Sequence, residues 1–266
     1  MAVKPSQIGK AGKRVLNDKF FKKAKAEGYL ARSAFKLQEL QQKHKLIAPG
    51  SRVLDLGCSP GAWLQVACKC LGPKSRGGLV LGIDIQDVVL PKEHCDDRVD
   101  ILQADARQLD VRELFTKSEG FHVVLSDMCH STMGSSSADV LRSLDLASCA
   151  AELAVGSLHA DLDPAHHFPQ VHNPMPAQPS TSSQRHATEP QQQEQQSESE
   201  QGSGQMDGSN GLLLPKGNLV MKLLQGAGSQ EFAQQLRQHF NKVAWARPAA
   251  TRSESREIYL LGLGRK

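Results

Sequence analysis

One segment constrains the fold more than any other: Val53-Leu54-Asp55-Leu56-Gly57-Cys58-Ser59-Pro60-Gly61-Ala62-Trp63. An apolar strand runs into a glycine-punctuated turn, and a helix follows at once. In parallel sheets this unit places the turn at the carboxyl end of a strand, where ligands bind. Glycine there lets the backbone approach a ligand closely. Gly57 and Gly61 are four apart, so the pattern is not G-x-G-x-x-G, and no G-K-[ST] follows. A dinucleotide pyrophosphate and a P-loop are both disfavoured.

The rest of the chain alternates in the same way. Helical patterns cover 18–28, 32–45, 62–71, 111–118, 138–158 and 229–240; strand patterns cover 52–56, 78–85, 99–103, 121–126, 219–224, 242–246 and 257–263. Near-continuous apolar strands between helices predict an α/β Rossmann-like fold. The expected sheet has seven mostly parallel strands, with helices on both faces. Residues 18–266 form a single domain in this reading, interrupted at 159–210. That insertion holds one aromatic residue, Phe168, amid Pro, Ser, Gln and Gly. It cannot bury enough apolar surface to offset its ordering entropy and is expected to be disordered. Its histidines, His159, His166, His167, His172 and His186, have no cysteines around them, and no metal site is expected.

Charge is distributed unevenly. The net is +9 over residues 1–45, −11 over 46–215 and +6 over 216–266. Two basic ends around an acidic centre suit a polyanion. The candidates for phosphate contact are Lys19, Lys22, Lys23, Lys25, Arg32, Arg247, Arg252 and Arg256. Aromatic residues make up 5%, too few for a broad stacking platform, so recognition of a folded RNA by shape is expected. Residues 1–17 form a basic arm without acids, as in an organelle transit peptide or an RNA-binding arm. Mitochondrial location is the expectation; plastid, nucleus and cytoplasm are the alternatives. The six cysteines form no C-x-x-C pair, which favours a reducing compartment. No apolar run approaches the ~18 residues of a membrane span.

Acids follow the glycine turn in a telling order. Asp84 ends the second strand, where a carboxylate commonly accepts from ribose hydroxyls. Asp105 follows the third strand, placed to accept from an adenine amino group. Either could be a cap or turn residue alone. Together they favour an adenosine-bearing ligand without a diphosphate, and S-adenosylmethionine fits. A second apolar strand, Val123-Val124-Leu125-Ser126-Asp127-Met128, ends on an acid. Lys222 stands amid Leu219, Val220, Met221, Leu223 and Leu224, an unusual place for a lysine unless it has work there.

With these residues the chain resembles the FtsJ-like 2′-O-ribose methyltransferases, in particular the mitochondrial and bacterial enzymes of large-subunit ribosomal RNA. The resemblance covers about residues 18–158 and 212–264. It rests on Arg32-Ser33-Ala34-Phe35-Lys36-Leu37, Asp55 to Trp63, Ser126-Asp127-Met128, Val220-Met221-Lys222 and Ser255-Arg256-Glu257-Ile258-Tyr259. It implies a catalytic tetrad of Lys36, Asp127, Lys222 and Glu257. It implies cofactor contacts at Gly57, Gly61, Trp63, Asp84, Asp105 and Asp127. The implied reaction is methyl transfer from S-adenosylmethionine to a uridine 2′-hydroxyl, by a monomer acting on ribosomal RNA or a large-subunit particle, with no metal or membrane. Where the family continues Ser-Asp-Met with Ala-Pro-Asn, this chain has Cys129-His130-Ser131.

In that reading Lys222 takes or steers the 2′-hydroxyl proton, its pKa lowered by burial and by the charge of Lys36. Asp127 orients Lys222, and Glu257 holds Lys36 or Lys222. The alternatives are a 2′-O-methyltransferase of tRNA or mRNA caps, and a non-catalytic ribosome-assembly factor. A Rossmann oxidoreductase is disfavoured by the glycine spacing.

Overall fold

A computed structural model describes residues 19–109, 111, 114, 119–130, 136–158 and 211–266. The basic arm at 1–17 and the 159–210 insertion lie outside these residues. Of the 111–118 helix only Val111 and Leu114 are described, both helical.

Two helices come first, α1 (Lys19–Ala26) and α2 (Ala34–His44). Then follow β1 (Arg52–Leu56), α3 (Ala62–Cys70), β2 (Leu79–Asp84), β3 (Val99–Gln103), β4 (Phe121–Ser126) and α4 (Ser136–Val155). The chain closes with β5 (Leu213–Leu224), α5 (Ser229–Leu236), β6 (Phe240–Ala246) and β7 (Glu257–Arg265). The seven strands form one sheet in the order β3-β2-β1-β4-β5-β7-β6. β3, β2, β1, β4 and β5 run parallel. β7 enters antiparallel between β5 and β6.

Several boundaries differ from the periodicity, and those of β5, α5 and β6 have a cause in the structure. β5 starts at Leu213 rather than 219, because Leu213 pairs with Phe121 across an irregularity in the β4–β5 register. Pro215, Gly217 and a positive φ at Lys216 give that stretch the sequence of a turn. α5 stops at Leu236 and β6 begins at Phe240, whose ring is buried in the core and withdraws it from the helix.

The side-chain period of two sorts each strand between two cores. Val53, Val80, Val123, Leu125 and Val220 pack towards α1, α2 and α3. Leu54, Leu56, Leu81, Ile83, Val124, Leu219, Met221 and Leu223 pack towards α4 and α5. Strand order reverses between β1 and β4, and such a switch point opens a crevice at the strands' carboxyl ends. Gly57 and Asp127 sit there: the Gly57 amide donates to Ile83 O (2.8 Å), and the Asp127 amide to Leu56 O (3.2 Å).

Candidate active site

The turn after β1 needs its glycines. Gly57 has φ +75° and Gly61 has φ +106°, a region that L side chains rarely adopt. A Cβ on Gly57 would lie 2.7 Å from Met128, and one on Gly61 the same distance from Pro91. Asp84 ties the turn to β2: its Oδ2 accepts from the Ser59 amide and its Oδ1 from the Gln86 amide, both at 2.9 Å.

Beneath the turn lies Asp55, fully buried, with no hydrogen-bond partner on either carboxylate oxygen. Burial first, then the charges of Asp127 and Asp84, push its pKa well up. Burial therefore favours its neutral form. Ile85, exposed directly after Asp84, offers an apolar surface at the same rim. Open backbone, a ribose-type acceptor in Asp84, an orphaned acid and an exposed aliphatic suit a nucleoside ligand such as S-adenosylmethionine.

Asp105 stands at the end of β3 but is engaged by its neighbour. The Arg107 guanidinium donates Nε to Oδ1 (3.0 Å) and Nη2 to Oδ2 (2.6 Å), which lowers the carboxyl pKa. Trp63 lies in the α1–α3 core, its Nε1 donating to Ser33 O (2.9 Å) and its ring 5.8 Å from that of Tyr259. Its indole N–H is thus committed to holding α2.

Alternation along β5 and β7 turns Lys222, Glu257 and Tyr259 to the same side of the sheet as Val220 and Leu261. Across the ladder Lys222 pairs with Tyr259, and Leu224 with Glu257. Lys222 Nζ donates to Asp127 O (2.6 Å) and lies 3.2 Å from Asp127 Oδ1. The Tyr259 hydroxyl donates to the same Oδ1 (2.9 Å). Lys36, on α2, donates to Glu257 Oε2 (2.7 Å). Its ammonium also sits 5.8 Å from the Tyr259 ring centroid. Lys36, Asp127, Lys222 and Glu257 therefore form two ion pairs linked through Tyr259. Lys36 and Lys222 are both buried. Tyr259 and Asp55 are the members that sequence reasoning missed. The two-residue spacing of Glu257 and Tyr259 was the available signal for the first.

The electrostatics correct one expectation. Lys222 is not depressed: burial lowers its pKa, but Asp127, Cys129 and Glu257 outweigh burial and raise it above the ordinary lysine value. In this state Lys222 is an ammonium. Cys129 and His130 line a small niche with Lys222, Asp139 and Leu224.

Two of the expected phosphate contacts hydrogen-bond to carbonyls of the chain itself. Arg32 donates to Ala250 O, and Arg247 to the carbonyls of Glu257 (3.1 Å) and Arg252 (3.2 Å). They fold the 247–256 loop against α2, where Glu39 also accepts from the Ala249 amide (2.7 Å).

The sequence profile of FtsJ-like methyltransferases matches residues 29–265. The chain belongs to the FtsJ-like methyltransferase family. Ribosomal RNA large subunit methyltransferase E of Acinetobacter baumannii is 34% identical over 254 residues, covering 94% of this chain and 88% of the relative. The protein of that name from Syntrophobacter fumaroxidans is 32% identical, covering 93% and 95%. A Plasmodium falciparum crystal structure, provisionally assigned as a ribosomal RNA methyltransferase, shares the fold. Its TM-score is 0.58 at 18% identity, covering 89% of this chain and 98% of that one. Among the described residues of this FtsJ-like chain, no helix is long and apolar enough to cross a membrane. None of their His, Cys, Asp and Glu side chains form a group of three able to hold a metal ion.

Proposed function

We propose that this protein transfers a methyl group from S-adenosylmethionine to the 2′-hydroxyl of a uridine in large-subunit ribosomal RNA. In this proposal it acts as a monomer, on the RNA or on a large-subunit particle, in the mitochondrion. The observation that carries the reading is the pair of buried lysine–carboxylate contacts, Lys222–Asp127 and Lys36–Glu257, beside the glycine turn. The curated relatives named for large-subunit ribosomal RNA supply the substrate class.

S-adenosylmethionine, when bound, supplies an electrophilic methyl on a sulfonium. The turn from Gly57 to Gly61 would hold it by backbone, with Asp84 on its ribose and Asp105 towards its adenine. Asp127, fixed by Tyr259 and Lys222, presents a carboxylate at the same edge. Lys36, kept in place by Glu257, contacts the acceptor ribose or its phosphate. Lys222, once its own proton has passed to solvent, takes the 2′-hydroxyl proton. Positioning of the hydroxyl by these groups carries much of the rate, since orientation alone can be worth roughly 7–11 kcal/mol.

The test is methylation of unmodified large-subunit ribosomal RNA, free and in particles, with methyl-labelled S-adenosylmethionine. Label should appear at one uridine, at a bond that resists alkaline cleavage. Label on a base, a cap, tRNA or protein, or no transfer, would overturn the reading. A fluorescent fusion of the full chain tests the mitochondrial assignment, and a nuclear or cytosolic signal removes it.

A further inference from the structure

A cavity of about 630 Å³ lies outside the tetrad, between the α1–α2 turn and the loop after β2. It borders the site, because Ser59 and Pro60 of the glycine turn form part of its lining. Its walls are fixed. Gln65, fully buried on α3, accepts from the Leu30 amide (2.9 Å) and donates to Gly28 O (2.9 Å) and Glu93 O (3.0 Å). One side chain thus pins both walls. His94 joins them again, stacking on Tyr29 at 4.8 Å and bonding Glu27 O at 2.7 Å. The Glu93 carboxylate packs so closely over Gly28 that a Cβ there would lie 1.6 Å from Oε2.

The lining is unusual for a surface. Among the described residues six large hydrophobic side chains are exposed, and Leu30 (53%), Val89 (80%) and Leu90 (42%) all belong to this cavity. Clustered exposed apolar groups mark a binding site rather than chance exposure. The volume lies within the roughly 300–1,000 Å³ range of small-molecule sites. Lys25 and Lys92 add positive charge, and α1 carries Lys19, Lys22 and Lys23 next to it. Asp87 and Glu93 add carboxylate acceptors for base N–H groups.

We propose that this cavity is a second RNA subsite, taking one unstacked base from outside the methylated nucleotide, with Lys25 and Lys92 on the flanking phosphates. The proposal rests on RNA being the substrate. An unstacked base can be held between apolar side chains and read along its edge by hydrogen bonds, while lysines at the rim contact phosphates. Continuity with the Ser59-Pro60 turn favours an RNA strand already engaged at the site over a separate protein partner.

The test uses the full chain with 4-thiouridine-substituted large-subunit ribosomal RNA. Photocrosslinks should fall on residues 28–30 and 87–93. In a triple variant, Leu30→Ser with Val89→Ser and Leu90→Ser, KM for RNA should rise about 10-fold, as expected for losing the contacts to one base. Turnover and S-adenosylmethionine affinity should stay within about twofold, since the changed side chains are exposed and outside the tetrad. Lys25→Ala with Lys92→Ala should lower the slope of log affinity against log salt by about 1.4, or ~0.7 per phosphate on a single strand. Unchanged KM together with crosslinks elsewhere overturns the subsite. So does protection of residues 28–30 and 87–93 by a ribosomal protein in intact particles but not by RNA alone. Failure of RNA methylation by the unaltered chain would strike the reading of the site instead, and the crosslinks would still report on the cavity.

Discussion

The two faces of the sheet are built from alternate residues of the same strands, yet their chemistry differs. Towards α4 and α5, the buried residues Leu54, Leu56, Val124, Leu219, Met221, Leu223 and Leu260 are all apolar. Towards α2 and α3, the intervening positions of the same strands include Asp55, Lys222, Glu257 and Tyr259. A buried charge is costly unless paired, so one face has concentrated that cost where it serves a reaction. The other supplies the burial that holds the sheet against it. Neighbouring residues on one strand should therefore fail in different ways.

The largest effect belongs to the apolar face. Leu219→Ala opens a cavity in a fully buried site and should cost about 2–5 kcal/mol of stability. Turnover per folded molecule should be unchanged, as read by denaturant unfolding and a single-turnover assay. A loss of turnover in the folded fraction would break the division of labour. Three residues along, Lys222→Ala should lower turnover by about 100-fold or more with cofactor affinity intact. Lys222→Arg should not restore it, because a guanidinium does not give up its proton. Because Asp127 and Glu257 raise the Lys222 pKa, the neutral amine is scarce at neutral pH. Wild-type turnover should climb with pH without levelling off below the ordinary lysine range, about 10.4. That climb should be absent from the arginine variant. A rate flat in pH, or near-normal turnover with arginine, would make Lys222 an electrostatic clamp only.

Much of this division was legible in the sequence. Apolar runs of strand length gave all seven strands, and β1, β3 and β4 fall on their expected bounds. Lys222 stood out because a lysine interrupts an otherwise aliphatic run. Less legible were features that depend on partners distant in the chain. Leu213 joins β5 through Phe121, a pairing hidden by Pro215 and Gly217. The raised pKa of Lys222 comes from Asp127 and Glu257, which lie 95 and 35 residues away and meet it only through strand register. Trp63 follows the glycine turn directly, yet its N–H is spent on Ser33, which no local pattern shows.

Tyr259→Phe probes the link between the two ion pairs at smaller scale. The hydroxyl donates to Asp127 Oδ1, and a hydrogen bond to a charged group is worth about 1.5–3 kcal/mol. Lys222 still pairs with the carboxylate at Oδ1 (3.2 Å) and holds the Asp127 backbone carbonyl (2.6 Å), so the lower end should apply. Turnover should fall about 10-fold, with little change in S-adenosylmethionine affinity or thermal midpoint. An effect as large as that of Lys222→Ala would make Tyr259 a reacting group rather than a positioning one.

The smallest effect is a slope rather than a loss. Asp55 is fully buried, and burial first, then Asp127 and Asp84, raise its pKa well above the ordinary carboxylate value. Between the unfolded value, about 3.9, and the raised folded value, the native state holds a proton that the unfolded chain has released. That group's contribution to stability is complete below the unfolded pKa and drains away as pH rises towards the folded one. Asp55→Asn cannot lose a proton, so this part of the pH dependence should vanish. The midpoint of the variant should fall less than that of the wild type between pH 5 and pH 8, two conditions chosen to lie above the unfolded value. Parallel melting curves across those conditions would mean that Asp55 is ionised beneath the turn. The polar face would then carry a third buried charge that its two ion pairs do not compensate.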